Sequence, residues 1–599
     1  MKTEISRNSI SLEKRIVLLA ALIGALQGLT GWIVSEYWPD KTQAGLYIYQ
    51  QQPFLLACFS LMMTGGLCLQ LFLKQHLNRR GWLMSLGTGV LFALISYWSL
   101  YQFQFELEDG QRYGRHGDML FELFWYFLLL AYVLFPYLQS WSSRISGHFN
   151  YQDLFRHSWD NYFIVSVGLI LAGVYWLLIV LWVSLFKIVD IEIFEDIFYH
   201  AGFIWVTILS VIGIGITIGI NNEKIIGTLR SIALSICKFL MPLTAIITLL
   251  FTFTLLFVGL QPVWDTNHST PILVLLIAAN ILFINGIVQD AVNVQYPGLL
   301  KKLVNLAIFM MPILALIAAY STWLRIDQHG LSPQRVYSSL IIFVAFSYSL
   351  TYPWAVVSSK KQWLENIQRP NIVIGLLICF LVIITHSPVF DPLQLSAANQ
   401  YQRLIEKDLS IEEFDFGVLQ YKFGKPGRYY LKQIRDLESH PEIVKIRARL
   451  KLLDNTKSYY DWKTYLQGKD QPQKKKFKIL SPHLQGTGAQ RDIPDTFYQA
   501  LKTAECISTC YLLFIDLNGD NQEEIIKLPN INSPYTLDVY TLQDERWKKI
   551  GQFNRVGSNK NSDSIELLLK NEGLRLIQQE YQNISIGDLE WDFRNIQTR

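Results

Sequence analysis

Eleven long apolar stretches separated by short polar connections constrain this chain more than any other feature. A helix needs about 20 mainly apolar residues to cross the hydrocarbon core of a bilayer. Stretches of that kind lie at about residues 16–35, 54–74, 82–103, 119–138, 162–186, 201–220, 233–260, 271–289, 303–324, 337–357 and 371–388. The first follows Lys14 and Arg15 as a signal peptide would. However, "ALIGALQGLTGW" offers no small-x-small cleavage site and more stretches follow, so it reads as a retained helix. The expected fold is an α-helical polytopic membrane protein.

Charge divides the chain. Only 17% of residues are charged, against roughly 25% in an ordinary globular chain, and the deficit ends near residue 388. Residues 1–388 therefore read as a transmembrane domain. Residues 389–467 read as an exported helical segment, 468–493 as a linker containing "KKKFK", and 494–599 as a small α+β module. The net charge of +4 is small and dispersed. No basic face interleaved with aromatics is present, which argues against nucleic acid and leaves the lipid bilayer and an envelope protein as expected partners.

Lys/Arg bias sets the expected orientation. With the N-terminus in the cytoplasm, the inside segments carry sixteen Lys/Arg and the outside loops six, and every inside segment has at least two. That places the C-terminal region across the membrane, in the periplasm if the cell has one. "SIEE" at Ser410–Glu413 has capping-box spacing, and "DTFYQALKTAE" reads as a helix before a run of strands.

Within the apolar stretches, ionisable and amide groups are functional hypotheses by default. Asn280, Asn285, Gln289 and Asp290, in "ANILFINGIVQDAV", form the deepest polar cluster, and Asn285 and Gln289 share a helical face. Two readings stay open: substrate or ion ligands of a transporter, or hydrogen bonds between helices. Gly215 and Gly219 in "GIGITIGI" are spaced for close helix approach. In the outside loop "LRIDQHGLSPQRVY", Gly330 ends a helix, Ser332 caps the next and Pro333 occupies its first position. Arg325, Asp327, His329 and Arg335 gather there, either as a small-ligand site or as the place where the exported region rests.

The runs "NGIVQDA", "YPGLLKKLVN" and "YSTWLRIDQHGLSPQRVY", followed by "DPLQLSAANQYQRLIEKDLSIEEFDFGVLQYKFGKPGRYYL", resemble the bacterial multi-pass membrane proteins of the DUF4153 family, whose label denotes a domain of unknown function. The likeness covers roughly residues 150 to 440. It implies an inner-membrane protein with a soluble C-terminal part, and supplies no catalytic residues.

The exported region holds two candidate staples. Cys506 and Cys510, in "CISTC", lie where a disulfide would persist, whereas Cys58, Cys68, Cys237 and Cys379 fall in spans and read as packing. In "YLLFIDLNGDNQEEIIKL", oxygen-bearing side chains alternate from Asp516 through Asn518 and Asp520 to Glu524, with the Gln522 carbonyl between. Calcium needs 6 to 8 hard oxygen ligands. Lys527 stands where an EF-hand needs a bidentate acid, so the match is to a strand–loop–strand calcium loop, weak and structural. A solvated hairpin turn uses the same residue types. No P-loop, zincin, nucleophile-elbow or dinucleotide motif occurs. The leading expectation is a membrane-anchored sensing or interaction protein. A transporter is the second reading, and an envelope enzyme near His329 and Arg335 the third.

Overall fold

The computed structural model describes residues 2–37, 45–73, 79–103, 117–142, 149–261, 269–288, 296–360, 362–406, 410–456 and 458–466. Toward the C-terminus it describes 477–479, 497, 510–520, 522–528, 536–543, 546–556, 574–577, 583–586 and 589–595. The chain divides into two compact units, Met1–Tyr459 and Tyr460–Arg599.

Eleven helices of the first unit are long and apolar enough to cross a membrane. They are α1 (Lys2–Glu36), α2 (Gly45–Phe72), α3 (Arg79–Phe103), α4 (Gly117–Ser142), α5 (Tyr151–Ile188), α7 (Ala201–Asn221), α8 (Glu223–Val258), α9 (Ser269–Ile287), α10 (Gly298–His329), α11 (Pro333–Ser358) and α12 (Gln368–Thr385), with the short α6 (Ile193–Phe198) after α5. Each expected stretch has its helix. The main difference is at α1, α2, α5 and α8, which begin well before their apolar stretches. The first turns of α1, α5 and α8 carry charged residues that a helix tolerates as readily as apolar ones, so hydropathy alone misplaces the start.

Two packing styles hold these helices. α1 runs along α7 and α7 along α5, in close contact at glycines. A Cβ on Gly28 would stand 2.4 Å from the Trp205 carbonyl oxygen, and one on Gly215 would stand 2.6 Å from the Gly168 Cα. The expected small-residue approach is therefore present. Around α8–α12 the contacts are larger side chains, with Met241, Ile277, Ile308, Met311, Leu314 and Tyr352 fully buried in one core. Large apolar side chains cover the outside of the bundle, among them Phe239, Leu256 and Leu299.

The rest of this unit is helical: α13 (Pro392–Ile405), α14 (Phe416–Tyr421), α15 (Gly424–Arg435) and α16 (Ile443–Asp454), with α17 (Tyr459–Leu466) at the unit boundary. Ser410–Glu413 forms a turn, not the first turn of a helix: Glu413 N bonds to Ser410 O, but Phe414 and Asp415 are non-helical. The capping-box spacing fails because Ile411 and Phe414 both turn into the core.

The second unit is an eight-stranded sheet, in spatial order β1-β2-β3-β4-β5-β8-β7-β6. Its strands are β1 (Phe477–Ile479), β2 (Cys510–Ile515), β3 (Glu524–Leu528), β4 (Thr536–Gln543), β5 (Arg546–Val556), β6 (Leu574–Ile577), β7 (Asn583–Ile586) and β8 (Leu589–Asn595). β1 pairs parallel with β2, and the other pairings are antiparallel. Two-residue alternation sends Leu513, Ile526, Val539 and Phe553 to one face and Leu512, Ile525 and Tyr540 to the other, where Phe497 covers them. β1 corrects the expected linker: Phe477–Ile479 begins inside the basic run and pairs with Cys510–Leu512. The helix expected at "DTFYQALKTAE" lies outside the described residues apart from Phe497.

Candidate functional site

The most developed polar geometry lies where α10 ends and α13 returns to it. The last carbonyls of a helix have no partner within it. Here α10 stops at His329 because Gly330 takes a left-handed backbone, φ +72. Ser332 accepts from Arg335 N and caps α11, with Pro333 at its first position, as the sequence anticipates.

Side chains of α13 take up the exposed carbonyls. Gln400 Nε2 donates to His329 O and Leu331 O, both at 3.0 Å. Arg403 Nη2 donates to Gln328 O at 3.1 Å and Asp327 O at 3.3 Å. Asn399 Oδ1 accepts from Leu331 N at 2.7 Å. Arg335 Nη1 adds a bond to Gly330 O at 2.8 Å. Gly330 is required twice over, because a Cβ there would lie 2.5 Å from Gln400 Nε2. Of the four loop residues from the sequence, Asp327 and His329 join through their main-chain carbonyls and Arg335 through its guanidinium, Arg325 lies within electrostatic reach of His329, and the structure adds Asn399, Gln400 and Arg403. Their spacing in "AANQYQR" places Asn399 and Arg403 on one helical face, a signal visible only once their target is known.

A second latch stands beside it. Gln102, at the end of α3, donates from Nε2 to Asp391 Oδ2 at 2.6 Å, and Asp391 Oδ1 caps α13 by accepting from Leu393 N at 2.8 Å. Gly424, at φ +58, packs so closely that a Cβ would stand 2.4 Å from Gln102 O. Lys425 Nζ lies 3.1 Å from the centre of the Tyr101 ring. Burial pushes the Asp391 carboxyl above its ordinary value, against hydrogen bonds from the Leu393 and Gln394 main chain and from Gln102.

The intrahelical polar residues resolve into separate contacts. Asn285 Oδ1 accepts from Asn371 Nδ2 at 2.7 Å and from Tyr352 Oη at 3.2 Å. The single Tyr352 hydroxyl proton is shared with Asn371 Oδ1, the nearer acceptor at 2.8 Å, and Asn371 Nδ2 reaches Tyr151 Oη at 3.0 Å. The network joins α5, α9, α11 and α12. Asn280, fully buried, donates to Thr248 Oγ1 and to Leu276 O, each at 2.8 Å, while its Oδ1 has no partner among the described residues. Gln289 and Asp290 lie outside the described residues. A cavity of about 290 Å³ opens between the first turns of α5 and α8, lined by Asp153, Arg156, Arg230 and Ser231 among others.

No protein family, curated protein or solved structure matches the chain. Its own geometry must carry the functional argument.

In the 516–524 loop, Asp516, Asp520 and Glu524 are each bonded to main chain. Asp516 Oδ1 accepts from Gly519 N at 2.7 Å, Asp520 Oδ1 from Gln522 N at 2.7 Å, and Glu524 Oε2 from Leu517 N at 2.8 Å. Asn518 Nδ2 donates to Asp520 Oδ2 at 2.9 Å. Burial raises the pKa of Glu524; Leu517 N opposes the rise, and the Asp520 and Asp516 charges add to it. Among the described residues no group of three or more His, Cys, Asp or Glu stands where it could hold a metal ion. The donor types suit calcium, but the conformation is a turn closed by its own hydrogen bonds. Cys506 lies outside the described residues, and Cys510 opens β2. Cys58, Cys68, Cys237 and Cys379 are free thiols in helices, as packing roles require.

Proposed function

We propose that this is a multi-pass protein of a bacterial inner membrane, its N-terminus cytoplasmic, whose bundle braces an exported region that senses or binds an envelope partner. The observation that carries the reading is the double latch. α13 is held by side chain–main chain bonds at Asn399, Gln400 and Arg403 and by the Gln102–Asp391 contact, so the start of the exported region is fixed to the bundle. Further support comes from the outward-facing apolar side chains, which would cost free energy in water, and the Lys/Arg bias; membership of the DUF4153 family belongs to the same proposal. A Cys506–Cys510 disulfide belongs to the same reading, as does a calcium ion bound through Asp516, Asn518, Asp520, Gln522 and Glu524, for which the hydrogen bonds that now close the loop would have to open. Calcium, when bound, would offset the mutual repulsion of the three acids and stiffen the sheet unit.

The transporter reading has less support. Asn285 makes its contacts with other helices, and such neutral interhelical bonds are the ordinary means of holding spans together.

Protease added to spheroplasts tests the proposal. The region after residue 390 should be digested while the N-terminal end is spared. Gln400→Ala with Arg403→Ala should speed cleavage after residue 405, and millimolar calcium should slow digestion of the sheet unit unless Asp516→Ala is present. Digestion confined to the N-terminal end would overturn the orientation.

A further inference from the structure

We propose that the cavity between the first turns of α5 and α8 binds a phosphate ester that also carries an ammonium group, either the headgroup of phosphatidylethanolamine or free phosphoethanolamine. The cytoplasmic placement of this cavity rests on the membrane reading above. The chemistry of its walls does not.

One face of each helix forms the walls. Asp153 and Arg156 stand three apart on α5, and Gly227, Arg230 and Ser231 follow at helical spacing on α8. Phe155 and Leu234, buried together, line it as well and give it an apolar end. Gly227 leaves the space open, because a Cβ there would meet no atom within 4 Å. The volume of about 290 Å³ lies at the low end for small-ligand sites.

Both signs of charge face this space. Arg230 bonds to Asp160 through Nη1 alone, at 2.6 Å, which leaves its other N–H groups for a ligand. Asp160 also lies within electrostatic reach of Arg156, so the two guanidiniums share one carboxylate. Asp153 and Arg156 are one turn apart, yet among the described residues they form no ion pair with each other. Arg156 and Ser231 are exposed and can reach an incoming group.

Guanidinium forks and a hydroxyl match phosphate oxygens, and the Asp153 carboxylate matches an ammonium group. A simple anion would face Asp153 and a simple cation would face Arg156, like against like in each case. A small molecule carrying both charges meets neither penalty. Depth agrees with a headgroup: Tyr162, Ile232 and Ile236 are more than half exposed just beyond the charged walls, and Tyr is enriched where headgroups meet hydrocarbon.

The test uses the full chain in nanodiscs of phosphatidylglycerol, with and without phosphatidylethanolamine, and in detergent titrated with phosphoethanolamine. Native mass spectrometry counts the lipid retained, and calorimetry gives the dissociation constant of the soluble ester. Gly227→Leu fills the space and removes no charge. It should abolish binding while thermal stability stays at or above wild type, because Leu is the better helix former. Arg156→Gln should weaken binding about tenfold, the equivalent of one charge-assisted hydrogen bond. Asp153→Asn should weaken the ethanolamine ligand by a similar factor and leave phosphatidylglycerol retention unchanged, a selectivity that a folding defect would not produce. Lys302→Gln, an exposed cation on α10 outside the cavity, should change nothing.

Preferential retention of phosphatidylethanolamine with these losses assigns a lipid headgroup, and saturable phosphoethanolamine binding with the same losses assigns a soluble ester. Wild-type binding by Gly227→Leu and Arg156→Gln in both arms overturns the site, as does a wild-type chain that binds neither molecule. An Asp153→Asn variant that keeps the full ethanolamine preference overturns the ammonium contact. A folded chain that will not enter the discs sinks the membrane reading instead, and the titration in detergent then decides the cavity alone.

Discussion

The α1/α5/α7 side of the bundle and the α8–α12 side solve one problem in different ways. In lipid, helices gain little from hiding apolar surface from each other, so association needs either close backbone approach or buried polar bonds. The first side uses the former. Gly24 and Gly28 bring α1 against the α7 main chain, and a Cβ at these positions would lie 2.2 Å and 2.4 Å from backbone oxygens. The second side uses the latter, through Asn285, Tyr352, Asn371 and Tyr151. Backbone cannot yield to an added methyl group, whereas side-chain partners can rearrange. The glycine contacts should therefore be the less tolerant.

Gly28→Val should produce the largest effect. It drives a Cβ and two methyl groups into the main chain at Trp205, and overpacking of this kind costs about 3 kcal/mol or more when nothing flexible can move. Unfolding in detergent should show a large loss of stability, with α1 released from α7. A Gly28→Val protein as stable as wild type would break the comparison.

Asn371→Leu should cost less, about 1–2 kcal/mol. It removes the group that bonds Asn285, Tyr352 and Tyr151 together, but interhelical hydrogen bonds in membranes are individually modest. The same unfolding measurement checks it. An Asn371→Leu loss exceeding that of Gly28→Val would mean that the polar network, and not close approach, dominates the bundle.

The sequence makes one of these packing styles easier to see than the other. Hydropathy is a property of each segment alone, so all eleven helices and the cap at Ser332 were legible locally. The Gly215 motif was legible too, because spacing within one helix suffices. Asn285 was visible as a polar residue in an apolar run, but its partner Asn371 lies 86 positions away, and Asn371 in turn reaches Tyr151 across 220. No local pattern encodes such a pair. The same limit hid the α13 latch, whose Gln400 acts 71 positions from His329. It hid β1 as well, a three-residue strand that exists only through its pairing with β2.

Asn280 gives the smallest expected effect and the sharpest test of what a buried amide does here. Its Nδ2 bonds to Thr248 Oγ1 and to the carbonyl of its own helix at Leu276, while its wholly buried Oδ1 has no partner among the described residues. Replacing it by Leu removes one interhelical bond, worth about 0.6 kcal/mol in a membrane. It also removes an unsatisfied acceptor whose burial is itself unfavourable. The two nearly cancel, so Asn280→Leu should unfold within about 0.5 kcal/mol of wild type. A loss approaching that of Asn371→Leu would mean that Oδ1 is satisfied by a bound water or solute, which would move weight from the packing reading of the α8–α12 side toward transport. A gain in stability would show the opposite: an amide kept at mid-helix at a net cost to the fold.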